Sequence, residues 1–235
     1  MMPQSQPPKD ALLDAILTHV TFDGWSDASF QMAVADVGID PVVAHAVCPR
    51  GAVDLAVAFH QRGDAMMLER FAAADLAEMR YRDKISALVR MRIEVVEDRE
   101  VVRKASVLFA LPKYAADGAK LIWETCDAIW NALGDTSDDI NWYTKRATLS
   151  GVYGSCVLFW LGDESDGNAD TWAFLERRIE NVMQIEKVKA GVRKNPLLKG
   201  LLAGPLWAMG HVKAPKSAPM QDVPGRWNED EGASK

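Results

Sequence analysis

Apolar residues recur at every third or fourth position from residue 12 to residue 190, which is the spacing of amphipathic α-helices. Gly24, Gly38 and Pro112 interrupt the pattern, and the capping residues Ser26 and Asp40 precede new apolar stripes. The sequence shows no convincing strand pattern and no internal repeat. It therefore predicts an all-α protein.

The most apolar helix of this pattern follows a polar turn at residues 134–139. About twenty residues without proline come after the turn, and the second half is apolar nearly all round, which is typical of a core helix or a membrane span. Lys145 near the start, together with Gly151 and Gly154 inside, favours a core helix. Thr136 and Asp139 have the spacing of a capping box.

Large aromatic residues stand at the predicted exposed start of this helix. Trp142 and Tyr143 lie between a pair of acids and a pair of bases. Amphipathic rings on a charged surface are typical of protein–protein hot spots. We therefore expect one helix to join the interior to a recognition surface.

Three short helices precede this region and predict a helix-turn-helix over residues 10–60. The segment GWSDASFQMAVADVGIDPVVAHAV at residues 24–47 resembles the N-terminal domain of TetR-type repressors. That resemblance implies a TetR-like helical bundle. It also leaves open a TetR-type transcriptional regulator with a small-molecule inducer pocket.

The chemistry of DNA binding is missing from the third helix. Residues 42–47 offer no Arg, Lys, Asn or Gln to read a base edge, and His45 is expected to be partly buried. Residues 1–60 carry seven aspartates against Lys9 and Arg50, a net charge of −5 that would repel phosphate. We therefore expect a degenerate helix-turn-helix and no nucleic-acid partner.

From the composition and the motifs we expect a cytoplasmic protein that is not an enzyme. The 235 residues carry a net charge of −6, and the three cysteines have no metal-ligand spacing. The N-terminus shows no targeting pattern. We find no catalytic motif, metal site or cofactor motif, and we expect the charged residues of positions 52–111 to form solvated helix faces.

Residues 191–214 combine an apolar stripe with basic charge. Seven basic residues and no acid lie between Lys187 and Lys216. The pattern predicts an amphipathic helix lying in the plane of an anionic membrane, from Asn195 to His211, although a final helix docked on the core stays open. Its membrane-binding residues would be Leu197, Leu198, Leu201, Leu202, Leu206 and Lys199. Residues 1–9 and 215–235 are expected to be disordered tails.

A closer resemblance covers most of the chain. The phrases GDTSDDINWYTKR at residues 134–146 and TWAFLERRIENV at 171–182 resemble the coenzyme Q nine family of ubiquinone biosynthesis accessory proteins. The resemblance implies a TetR-like homodimer with a lipid pocket, a membrane-touching C-terminal helix and a patch that recruits demethoxyubiquinone hydroxylase. On matching positions, the patch would include Asp139, Trp142, Tyr143 and Arg146.

We therefore expect a non-enzymatic accessory protein that presents an isoprenoid quinone intermediate to a membrane-associated hydroxylase. Residues 61–190 would form the lipid-binding and dimerisation domain. A location in the cytoplasm, peripheral on the inner face of a bacterial cell membrane, would follow. The proposed lipid contacts come from the central helices: Val152, Cys156, Phe159, Ile179 and Met183.

Overall fold

A computed structural model describes residues 6–194 and 213–215 of the chain, and the side chains of α9 up to residue 184. Every regular element of the described residues is helical, which confirms the all-α prediction. The helices are α1 (Pro8–Asp23), α2 (Asp27–Val37), α3 (Pro41–Val47), α4 (Ala52–Ala73), α5 (Tyr81–Glu94), α6 (Arg99–Ala110), α7 (Ala115–Ala132), α8 (Ile140–Leu161) and α9 (Ala169–Lys194).

Helices α1 to α3 form the predicted N-terminal unit. The Ser26 side chain accepts a hydrogen bond from the backbone N–H of Ser29, and Asp40 caps α3 by accepting from Val42 at 2.7 Å. Gly38 ends α2 with a left-handed φ of 69°, a conformation that costs other residues energy. A core centred on Phe30 packs these helices against the start of α4.

Helices α4 to α9 build a second and larger core. Helix α8 lies in its middle and packs against α6, α7 and α9. Val152, Tyr153, Cys156 and Trp160 point from α8 into this core. The prediction of a central, mostly buried helix is therefore confirmed, and α8 can carry both interior and surface functions.

Some local expectations were wrong. Helix α8 begins at Ile140 with Asp139 as its cap, so Thr136 does not start a capping box. His45 is exposed on α3, although its ring lies 5.2 Å from the Phe30 ring at the edge of the core. Helix α1 already begins at Pro8, inside the predicted tail.

Not all charges of residues 52–111 are solvated. Arg92 is only 4% exposed, because its guanidinium pairs with a neighbouring carboxylate inside the bundle. Among the described helices, none is long and apolar enough by itself to cross a membrane. Helices α2 and α3 meet that test only as a pair, bent by 119°.

Candidate functional site

A largely apolar cavity of about 420 Å³ lies among α4, α5, α6, α7 and α8. Small alanine and glycine residues of α6 and α7 leave the space, and larger apolar residues enclose it. The lining includes Ala110, Ala115, Gly154, Leu158 and Trp160. Ala110, Ala115 and Leu158 are exposed to solvent, so they mark an apolar mouth.

The inner end of the cavity is polar. The Arg92 guanidinium donates from Nε to Asp64 at 2.5 Å and from Nη2 to the His60 carbonyl at 3.0 Å. Thr125 donates its hydroxyl hydrogen to Asp64 at 2.8 Å. Since that hydrogen is used, the Thr125 oxygen accepts from Nε2 of His60, 2.8 Å away. These contacts hold the polar end in one arrangement.

Burial controls the protonation of the groups at this end. Burial, followed by the positive charge of Arg92, lowers the pKa of His60 to about 3, so the imidazole is neutral at physiological pH. Burial raises the pKa of the Tyr153 phenol to about 12. The phenol therefore keeps its proton and can act as a hydrogen-bond donor.

Tyr153 is 4% exposed and lines the cavity. Among the described residues, none accepts a hydrogen bond from its hydroxyl group. Its ring lies 6.0 Å from the guanidinium carbon of Arg92. Since the hydroxyl oxygen is not enclosed by protein atoms, it is a donor open to the cavity.

The five residues predicted as lipid contacts do not line this cavity. Val152, Cys156 and Ile179 belong to the packed core behind it. Phe159 stacks on Phe174 with ring centroids 4.6 Å apart and is 38% exposed. Met183 is 37% exposed on α9. The predicted positions lie on other faces of α8 and α9, because Tyr153, Gly154 and Val157 form the face toward the cavity.

Sequence reasoning missed the polar residues of the cavity. His60 and Asp64 stand one helical turn apart on α4, and Arg92 follows Leu88 and Val89 by about one turn on α5. Ionisable residues on an otherwise apolar helical face could have indicated these buried polar positions. The pairing of α4 with α5 that brings them together needs the tertiary structure.

The predicted recognition residues form an aromatic patch at the start of α8. We define the patch as Trp123, Trp142 and Tyr143, all partly exposed. The Trp142 ring lies 4.8 Å from Tyr143, edge to face, and 5.8 Å from Trp123. Asp139 is exposed beside the patch and accepts from the backbone N–H of Asn141 as the cap of α8.

Arg146 supports the patch from below. It is 1% exposed, so its guanidinium lies beneath the patch and not on the protein surface. Its guanidinium carbon lies 4.0 Å from the centre of the Trp142 ring. Ion pairs with Asp127 of α7 and with Asp135 of the preceding turn hold it there. Arg146 is therefore a positioning residue for Trp142.

The short described segment at residues 213–215 lies against the same helix start. The backbone N–H of Ala214 donates to the carbonyl of Asp138 at 2.9 Å. The predicted membrane-binding residues (Leu197, Leu198, Lys199, Leu201, Leu202 and Leu206) lie outside the described residues. Among the residues that are described, no group of three potential metal ligands is found.

Residues 115–186, which span α7, α8 and most of α9, match the model of the family described as COQ9. The predicted resemblance to the coenzyme Q nine family is confirmed. The COQ9 match contains the whole aromatic patch and Tyr153, whereas His60 and Arg92 lie outside it.

Similar curated proteins bear the same family name. "Ubiquinone biosynthesis protein COQ9, mitochondrial" of Drosophila melanogaster is 30% identical over 74% of this chain and 55% of its own length. "Probable ubiquinone biosynthesis protein coq9, mitochondrial" of Dictyostelium discoideum is 25% identical over 79% of this chain and 63% of its own length. The human COQ9 protein is 33% identical over 52% of this chain and 38% of its own length. The chain therefore spans less than two thirds of the length of these relatives.

The fold also has a counterpart among solved structures. A TetR transcriptional regulator from Nitrosomonas europaea ATCC 19718 superposes with a TM-score of 0.61, covering 74% of this chain and 97% of the regulator. The two sequences are 19% identical, so this similarity concerns the fold alone. The TetR-like fold predicted from residues 24–47 is confirmed.

Proposed function

We propose that the protein is a non-enzymatic accessory protein of ubiquinone biosynthesis that binds an isoprenoid quinone intermediate. The apolar cavity of about 420 Å³ is the observation that carries this proposal. Ligand sites are typically concave, mostly apolar and supplied with a few polar groups. The names of the COQ9 relatives support the pathway, and the cavity supports the lipid.

Presentation of the lipid would require a partner enzyme. The aromatic patch supplies large, partly exposed rings, which are the usual anchors of protein interfaces. We assign it to a demethoxyubiquinone hydroxylase or an equivalent membrane-associated enzyme. Holding a water-insoluble substrate beside such an enzyme would accelerate the reaction by proximity, with no chemical step performed by this chain.

The membrane would be the third partner. The apolar and basic pattern of residues 195–211 supports an in-plane helix on anionic lipid. Peripheral attachment to the inner face of a bacterial cell membrane is the location that fits a quinone substrate. The double substitution Leu201→Glu and Leu202→Glu distinguishes this membrane helix from a helix docked on the protein core.

A second copy of the chain would complete the assembly. Ala147, Gly151 and Phe159 form an exposed, uncharged strip along α8. Small residues permit close approach of two helices, and the exposed apolar side chains would leave water on contact. We assign this strip to a homodimer interface.

A transcriptional regulator with an inducer pocket is the rival proposal, favoured by the TetR-like fold. The exposed surface of α3 argues against it. Val42 is 76% exposed and Val43 is 44% exposed where a recognition helix would present donors and acceptors. Helix α3 would have to contact DNA bases without Arg, Lys, Asn or Gln side chains.

Gly154→Leu tests the lipid proposal. A Cβ atom at Gly154 would meet only Ile122 Cδ1 at 3.9 Å, so the helix accepts a side chain, which would then fill part of the cavity. Ala116→Leu, at an exposed position of α7 that does not line the cavity, is the matched control. Lipid co-purifying with each variant is quantified by mass spectrometry. Equal quinone content in the two variants would contradict the proposal.

A further inference from the structure

We infer that the rim of the cavity mouth is a second membrane contact, which sets the opening of the cavity against the surface of an anionic bilayer. The inference rests on the proposed membrane attachment and adds a site in the helical bundle, separate from residues 195–211. It follows from three exposed aliphatic side chains and from the charges near them. We call Val107, Leu111 and Leu158 the mouth collar.

The mouth collar borders the opening of the cavity. Val107 is 63% exposed, Leu111 is 48% exposed and Leu158 is 67% exposed. Leu158 lines the opening from α8, and Ala110 lines it from α6. Residues three or four positions apart share one side of a helix, so Val107 lies on the side of Ala110, and Leu111 lies on the side of Val107. The apolar interior of the cavity therefore continues onto the protein surface.

Hydrogen bonds between α6 and α8 bring the members of the collar together. Two arginines of α6 donate to carbonyl groups at the end of α8: Arg99 to Asp163, and Arg103 to Leu161. The order of these contacts shows that the two helices run antiparallel here. Val107 lies one turn after the second arginine, and Leu158 lies about one turn before the end of α8, so the two side chains stand at the same level.

The charges near the collar favour an anionic surface. Lys113, in the turn after α6, is exposed and forms no ion pair with a described residue, and its Nζ lies 5.1 Å from the centre of the Tyr114 ring. Asp117 is the nearest acid along the chain, and it is paired with Arg50 at 3.0 Å. Lysine is attracted to anionic head groups, and tyrosine rings sit at the level of the head groups. This turn therefore has the composition of a membrane interface.

The size of the collar argues against a protein as its partner. A stable protein–protein interface buries about 800 Å² on each side, which three aliphatic side chains cannot supply. A bilayer needs no matching surface, and each apolar side chain that enters it leaves water. The collar is also too small to hold the protein by itself. It would add affinity once residues 195–211 have anchored the chain, because the second contact is then intramolecular.

An environment-sensitive fluorophore on the collar tests the inference. The three native cysteines are buried, so Val107→Cys can be labelled selectively with nitrobenzoxadiazole in the full chain. Val42→Cys on α3 is the matched control, since Val42 is 76% exposed and does not line the cavity. Vesicles contain equal parts of phosphatidylcholine and phosphatidylglycerol. Flotation measures binding in parallel, and circular dichroism checks the fold of each labelled protein.

We expect vesicles to shift the emission of the label at position 107 to shorter wavelength and to leave the label at position 42 unchanged. Flotation without a shift at position 107, or with an equal shift at position 42, would overturn the inference alone. A label at position 107 that is shielded before vesicles are added would assign the collar to a second copy of the chain and overturn the inference too. Failure of the original protein to float would overturn the proposed membrane attachment as well.

Charge substitutions measure the contribution of the collar to affinity. Val107→Glu together with Leu111→Glu should weaken vesicle binding about tenfold, because two carboxylates would oppose entry into the bilayer. Val42→Glu together with Val43→Glu adds the same charge at exposed positions of α3 and should leave binding nearly unchanged. Equal binding by the two double variants would contradict the inference.

Discussion

The hydroxyl group of Tyr143 donates a hydrogen bond to the backbone carbonyl of Lys213, 3.3 Å away and 70 residues later in the chain. The neighbouring N–H of Ala214 donates to Asp138, so the segment is held at two points beside the aromatic patch. The predicted membrane helix ends at residue 211, two positions before Lys213. A helix bound to a bilayer would therefore keep the patch close to the membrane surface, where the proposed hydroxylase works.

Trp142→Ala should abolish capture of a demethoxyubiquinone hydroxylase while the protein stays folded. The ring packs on Arg146 and Trp123, so we expect a loss of about 1–2 kcal/mol in the free energy of unfolding. Capture is measured by co-purification, and quinone precursors are measured in cells carrying only this variant.

Trp172→Ala is the matched control for this prediction. Trp172 is also partly exposed and lies under a guanidinium, with Arg90 at 4.7 Å, but it is on α9 away from the patch. It should lose similar stability and retain capture. Normal quinone levels in a folded Trp142→Ala protein would remove the patch from the mechanism.

The double substitution Leu201→Glu and Leu202→Glu should abolish binding to anionic liposomes. Two carboxylates on the apolar stripe would have to enter hydrocarbon, at a cost of several kcal/mol. Flotation with vesicles measures binding, and circular dichroism follows the fold. Unfolding of the double variant would instead assign these leucines to the protein core.

DNA binding should be absent even at low salt. The net charge of −5 over residues 1–60 repels phosphate, and exposed Val42 and Val43 cannot read base edges. A mobility-shift assay with genomic fragments at low ionic strength is the most permissive measurement. A sequence-specific and salt-sensitive shift would establish the rival regulator function.

His60→Gln should make the protein less sensitive to acid. The pKa of His60 is lowered from 6.5 to about 3, so between these values the unfolded chain takes up a proton that the folded protein excludes. Stability is therefore complete above pH 6.5 and falls by up to about 1.4 kcal/mol per pH unit below it.

Urea unfolding between pH 7 and 5 measures this effect, before most carboxylates titrate. His60→Gln should have a flatter pH profile, and the exposed His45→Gln should behave like the original protein. Equal slopes in all three proteins would mean that His60 is protonated in the folded state.

Gly151→Lys should convert the proposed dimer to monomers. The lysine would place a charge in the middle of the uncharged strip of α8, where desolvation would oppose association. Sedimentation velocity measures the oligomeric state. Ala116→Lys, an exposed substitution on α7, should leave the state unchanged. A Gly151→Lys protein that remains dimeric would exclude this strip as the interface.

The helices and their ends were predictable because local chemistry determines them. Ser26 and Asp40 cap α2 and α3 as expected, and Gly38 takes the left-handed turn. The start of α8 was predicted less well. Asp139 caps it rather than Thr136, because several capping residues lie within one short polar turn and the sequence does not rank them.

The aromatic patch and the cavity differ in what a single sequence reveals. Trp142 and Tyr143 are neighbours in the chain and could be read together. The polar end of the cavity joins His60, Arg92 and Tyr153 from three helices, and only packing brings them together. The predicted lipid contacts failed to line the cavity for the same reason: apolar residues on all sides of α8 gave no indication of which face meets empty space.

Helix α7 connects the cavity with the aromatic patch. Its first turn carries Ala115 at the cavity mouth, and Asp127, about three turns later, forms an ion pair with Arg146 beneath the Trp142 ring. A ligand that shifted α7 would therefore also change the position of Arg146 under that ring. Occupancy of the cavity and the shape of the proposed partner surface would then be coupled through one helix.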